Sequence, residues 1–156
     1  FKMLDESFST YKKLQLPCSP EVSAVIEELE LKVEKAMNEG YAAVKDLDQL
    51  SLFQWVSKIL YGVVFNEIQA GMRQAVLSVE EMNFSQSLVH KFRNLHAMLQ
   101  SLLVTMEFEE RNPFTIEIFE VDNDADTFMY RDEINTLIFS LRMSSSKVIM
   151  IKCFYV

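Results

Sequence analysis

The feature that most constrains this sequence is an apolar run from Leu50 to Phe65, interrupted by Gln54, Ser57 and Lys58. Its 16 residues are fewer than the ~20 that cross a bilayer, and a lysine at mid-span would cost about 2.5–3.5 kcal/mol there. Because the apolar side chains lie around most of a helical wheel, such a helix needs partners on several sides. The run therefore predicts a buried central helix over about 50–70, ended by Gly71, and no membrane span.

Two further main helices are predicted around this element. Ser19 and Pro20 supply a cap and a first-turn proline. Apolar residues then recur every three or four positions until Gly40, which predicts a helix over 20–39. After an irregular stretch at 72–84, Ser85 or Ser87 caps a third helix. The apolar stripe of that helix comprises Leu88, Phe92, Leu95, Leu99 and Leu102.

From residue 104 onward, β-branched and aromatic residues alternate with polar ones, which is typical of strands. Strands are expected at 114–121, 127–131, 136–143 and 147–155, joined by polar breaks short enough for an antiparallel meander. The predicted fold class is α+β: three main helices, with the apolar helix at their centre, followed by an antiparallel sheet of about four strands. A chain of 156 residues predicts one domain, with an irregular entry segment at 1–19, a helical layer at 20–103 and the sheet at 104–156.

The charge balance disfavours a nucleic-acid partner. The chain carries 15 basic and 23 acidic residues, a net charge of -8, and no segment is strongly basic, so its average field repels polyanions. Its two cysteines, Cys18 and Cys153, follow no metal-binding spacing and indicate reduced thiols. We therefore expect a cytoplasmic protein, and the sequence indicates no cofactor.

An acidic segment gives the most specific local pattern. Asp122, Asp124 and Asp126 alternate, and Glu133 stands at the twelfth position, as in the calcium-binding loop of an EF-hand. Thr127 stands where that loop needs glycine, and both flanks are predicted strands rather than helices. The alternative is a solvated hairpin loop, in which Asp and Asn side chains bond the turning backbone.

Candidates for catalysis are few. His90 and His96 are six residues apart on one predicted helix, so they point in different directions and do not chelate one metal between them. No nucleophile is identifiable beside either histidine, which favours structural or surface roles. Cys18 is either a lone thiol that packs against its neighbours or a nucleophile. Enzymatic activity within these residues is therefore not favoured.

The last predicted strand indicates self-association. Residues 148–156 are apolar on both alternating faces and end the chain near an expected sheet edge. An exposed strand edge invites pairing with another copy. The sequence therefore predicts a homodimer through this strand.

Three segments resemble a family of uncharacterised bacterial proteins: WVSKILYG at 55–62 followed by FNE at 65–67, NLHAMLQS at 94–101 and NPFTIEIF at 112–119. The resemblance covers about residues 11–143. In that family, a region like this one follows a Cys-rich segment similar to an HNH-type endonuclease zinc unit. Residues 1–17 contain no histidine, so the implied nuclease activity falls on no residue here, and Cys18 would mark the edge of the missing segment.

The functional expectation is a non-catalytic scaffold or interaction module of a bacterial cytosolic protein. One alternative is the companion domain of an HNH-type, metal-dependent nuclease whose zinc and catalytic segment is missing from this chain. A second is calcium binding at 122–133.

Overall fold

The computed structural model describes residues 13–75, 86–103, 114–121, 127–133, 136–143 and 148–155. Its helices are α1 (Pro20–Glu39), α2 (Tyr41–Lys45), α3 (Gln49–Ala75) and α4 (Gln86–Gln100). Its strands are β1 (Phe114–Val121), β2 (Thr127–Glu133), β3 (Thr136–Met143) and β4 (Val148–Tyr155).

The first helix begins and ends where its sequence signals predict. The Ser19 hydroxyl accepts a 3.4 Å hydrogen bond from the Val22 amide, and Pro20 occupies the first turn. Gly40 ends α1 with a φ of 106°, in the left-handed region that favours glycine, and its amide donates to the Ala36 carbonyl. The prediction of a helix over 20–39 is confirmed.

Helix α3 forms the buried centre of the described chain. Asp48 caps it, because its carboxylate accepts a 2.7 Å hydrogen bond from the Ser51 amide. All six residues from Leu52 to Ser57 are at most 8% exposed, so no side of this segment faces water. The helix does not stop at Gly71 as predicted but continues to Ala75. A single helical glycine costs only about 1 kcal/mol, and the residues that follow, Met, Arg, Gln and Ala, are good helix formers.

The core joins all four helices to β1. Its buried members come from α1, α2, α3 and α4, and Ile116 and Ile118 of β1 pack against them. The entry segment also lies on α3, since Asn66 donates a 3.1 Å hydrogen bond to the Gln15 carbonyl. The buried hydrophobic cluster is Leu29, Val33, Ala36, Val44, Leu52, Phe53, Trp55, Val56, Ile59, Leu60, Leu95 and Met98.

Backbone pairing of the strands does not follow the predicted meander. The order is β1-β4-β3-β2, and every neighbouring pair is antiparallel. The strand beside β1 is therefore β4, with Phe114 opposite Tyr155, whereas a meander would place β2 there. The sequence of β4, VIMIKCFY, is strongly apolar. A central position gives this strand a hydrogen-bonding neighbour along both edges.

The predicted α+β fold class is corrected. Of the residues whose side chains the structure describes, 78% are helical, and the strand residues among them form one short piece of β1. The body of the fold is thus mostly helical, and we find no balanced pair of helical and sheet layers within it. The sequence pattern predicted an antiparallel sheet of about four strands after the helices, although burial in the described core comes almost entirely from helices.

The structural basis for the predicted dimer is also corrected. Residues 148–155 form β4, which pairs with β1 along one edge and with β3 along the other. Neither edge of this strand is open to another copy, and the outer strands are β1 and β2. Among the described helices, none combines the length and apolar character required to cross a bilayer.

Candidate interaction surface

The predicted calcium site lies mostly outside the described residues. Asp122, Asp124 and Asp126 belong to that undescribed part, and Glu133 is the last residue of β2, where the backbone alone is described. Calcium binding at 122–133 therefore stays a prediction. Within the described ranges, no three His, Cys, Asp or Glu side chains gather closely enough to hold a metal ion.

Cys18 lies at a corner where the entry segment meets α1 and α3. Its thiol is free and exposed. Close to it, Lys58 of α3 forms an ion pair with Glu30 of α1. Burial lowers the pKa of Lys58, and the electrostatic effect of Cys18 raises it. Because Glu30 balances the charge of Lys58, this lysine serves to join two helices and is poorly suited to act as a free amine.

Helix α4 is fixed against α3 by apolar packing and polar contacts. Leu95 and Met98 are buried. The buried Gln54 amide donates a 2.9 Å hydrogen bond to the Ser101 hydroxyl just beyond α4, and that hydroxyl donates to the Met98 carbonyl at 2.5 Å. The Gln54 contact lies at one end of the interface between the two helices.

An aromatic contact secures α4 nearer its beginning. The Tyr61 and Phe92 rings stack with centroids 4.5 Å apart and an angle of 15° between their planes. The His96 ring lies tilted 6.0 Å from Tyr61. Burial raises the pKa of the Tyr61 hydroxyl, so this group stays neutral near pH 7. Together with the Gln54 contact, the stack sets the rotation of α4 about its own axis.

This rotation turns one side of α4 toward solvent. We call this side the α4 face and define it by the exposed residues Val89, His90, Arg93, His96 and Ala97. The two histidines lie on this face, in agreement with the prediction of surface roles. Helix α4 contains no Asp or Glu, and its cationic residues are Lys91 and Arg93. The α4 face therefore carries the positive charge of Arg93, with no acidic residue on its own helix, on a chain whose net charge is -8.

The outward side of α1 has the opposite character. We call it the α1 face and define it by the exposed residues Ala24, Glu27, Glu28, Leu31 and Glu34. Leu31, at its centre, is 66% exposed, the largest value among the large apolar side chains described.

The lysines of α1 are engaged by other acids. Lys32 pairs with Asp48 at 2.6 Å, and Lys35 lies 3.9 Å from Glu39. Within the part of the chain that the structure describes, no ion pair involves the three glutamates of the α1 face. The face therefore keeps its negative charge.

Comparison of the chain with protein-family models, curated proteins and solved structures finds no match. Neither face follows from the apolar periodicity that predicts the two helices. The absence of Asp and Glu from 86–103 was a readable signal. The sequence did not show which side of that helix faces water.

Proposed function

We propose that this chain is a non-catalytic scaffold or interaction module that acts through the outer faces of its helices. The observation that carries the proposal is the burial of every residue from Leu52 to Ser57 on α3. The most apolar segment of the chain is thus used for cohesion. An enzyme site, in contrast, is a concave pocket with convergent polar groups and a reactive residue.

The polar groups within the helical body support the same reading. Gln54 is bonded to Ser101 across two helices, and Lys58 is paired with Glu30. Each of these contacts joins neighbouring segments. Among the described residues, the α1 and α4 faces are two surfaces where charge and exposed apolar side chains occur together.

The competing function is suggested by the family resemblance: a companion domain for an HNH-type nuclease. The two functions differ in metal content and in activity on DNA. A zinc unit has a defined stoichiometry, and its thiolate ligands release the metal when they are replaced. Cys18, exposed just before α1, is the described residue through which such a unit would be detected.

The test is metal analysis and plasmid nicking on the purified product of the complete reading frame that contains this chain, with and without added Zn²⁺, Mg²⁺ or Mn²⁺. The proposal expects no stoichiometric zinc and no nicking above the buffer control. One equivalent of zinc that is lost in the Cys18→Ser variant, together with metal-dependent nicking, would show that the proposal is wrong. A parallel calorimetric titration with Ca²⁺ tests the 122–133 segment separately.

A further inference from the structure

We infer that the partner of the α4 face is the α1 face of a second copy of this chain. In the resulting dimer, each copy places its α1 on the α4 of the other. This inference rests on the interaction function proposed above and adds the identity of the partner.

Charge complementarity is the first argument. Helix α1 contains six glutamates and two lysines, and both lysines are engaged by Asp48 or Glu39. The α4 face carries the positive charge of Arg93, and helix α4 contains no acidic residue. An acidic and a cationic face on one molecule attract each other between copies, and this attraction orients the encounter. A nucleic acid would be repelled by the rest of the chain, whose net charge is -8.

The spacing of the two faces is the second argument. At a helical rise of 1.5 Å per residue, the distance from Glu27 to Glu34 is about 10 Å and that from Val89 to Ala97 about 12 Å. Leu31 lies within one turn of Glu27 and Glu34, and Arg93 lies one turn from both Val89 and Ala97. When the two helices lie side by side, offset by one turn, Leu31 lies beside Val89 or Ala97. In the same arrangement, Glu27 or Glu34 lies beside Arg93.

Exposed apolar surface gives the third argument. Leu31, at the middle of the α1 face, is 66% exposed, and Val89, at the margin of the α4 face, is 39% exposed. Apolar residues bordered by charges are a common composition for interfaces, since burial supplies affinity and charge supplies orientation. A two-fold axis that relates the copies would form this contact twice and close the assembly at two copies, so a mass well above two copies would overturn the reciprocal dimer.

The test uses charge reversal in the full chain, with mass measured by light scattering over a concentration series at low salt. The wild type is expected to approach twice its 18.2 kDa chain mass and to dissociate in 1 M salt, where charges are screened beyond ~3 Å. Arg93→Glu alone and Glu27→Arg/Glu34→Arg together are each expected to weaken association about tenfold or more. An equimolar mixture of these two proteins is expected to restore the dimer, because both contacts regain opposite charges.

Matched controls exclude a general effect of net charge. Arg73→Glu changes the same charge at another exposed helical position, and Glu117→Arg/Glu120→Arg makes the same change as the α1 variant on exposed residues of β1. Both controls should associate like the wild type. A wild type that stays monomeric at low salt, controls that weaken association equally, or a mixture that remains monomeric would each overturn the inference. None of these results bears on the non-catalytic function, which the zinc and nicking assays decide separately.

Discussion

Replacing Leu52 by alanine tests whether α3 is the cohesive centre of the fold. Leu52 is 0% exposed and belongs to the buried cluster shared by the helices. Removing its branched end deletes buried apolar atoms and leaves a cavity that its neighbours fill only in part. For a fully buried leucine, these two effects together cost about 2–5 kcal/mol.

Urea denaturation followed by circular dichroism measures this cost. We expect the free energy of unfolding to fall by about 3 kcal/mol, with no change in its dependence on urea concentration, because the substitution alters the folded state only. In a chain of this size, the midpoint of thermal unfolding should fall by roughly 6–12 °C.

Leu31→Ala provides the control within the same molecule. Leu31 is also helical but is 66% exposed, so the chemical change and the helix-propensity change are the same. At low protein concentration, where the chain is monomeric, this variant should stay within about 0.5 kcal/mol of the wild type. Equal costs for the two substitutions, or a cost under about 1 kcal/mol for Leu52→Ala, would refute the central position of α3.

Two further predictions concern the charged contacts of α1. Burial alone would raise the pKa of Asp48. Hydrogen bonds from Lys32 and Ser51 lower it by more, so the pKa falls from 3.8 to about 2. A lowered carboxyl pKa adds stability above pH 4 that is lost as the pH falls toward 2. Since the Asp48 side chain is 53% exposed, we expect its contribution to the free energy of unfolding to be only about 1 kcal/mol. Asp48→Asn keeps the cap, and the difference in unfolding free energy between pH 6 and pH 2.5 should shrink by that amount; an unchanged difference would contradict the assignment. For the second contact, Glu30→Gln should destabilise the fold by about 1–2 kcal/mol, because it leaves the charge of Lys58, 21% exposed, without its partner. Lys58→Met leaves the more exposed Glu30 to water and should cost less, so the reverse order in urea denaturation would be evidence against this reading.

The helices were predictable where local chemistry decides them. The limits of α1 follow from Ser19, Pro20 and Gly40, whose hydrogen bonds and backbone conformation act within a few residues. The central position of α3 followed from an apolar pattern that surrounds the helix. Gly71 misled the prediction, because a glycine ends a helix only when the chain beyond it turns away, and here the helix continues to Ala75.

The order of the strands and the position of the candidate surface depend on distant contacts. Alternation along β4 predicts a strand but does not show which neighbours it has, and the structure places it between β1 and β3. Similarly, the outward direction of Arg93 depends on a Tyr61–Phe92 stack and on the Gln54–Ser101 hydrogen bond, which join residues far apart in sequence. Composition alone carries neither kind of information.

The structure separates cohesion from interaction along the chain. Residues 52–57 are enclosed. The charges of α1 and α4 lie instead on exposed faces of opposite sign. Substitutions on these outer faces are therefore expected to leave the core intact.

Native-state hydrogen exchange on the amides of 52–60 tests the central claim most directly. If α3 is enclosed by its neighbours, these amides exchange only when the whole chain unfolds, and the opening free energy from exchange equals the unfolding free energy from urea. If α3 lines a cleft that admits water and opens locally, these amides will exchange with a free energy several kcal/mol below the global value. That result would contradict the account.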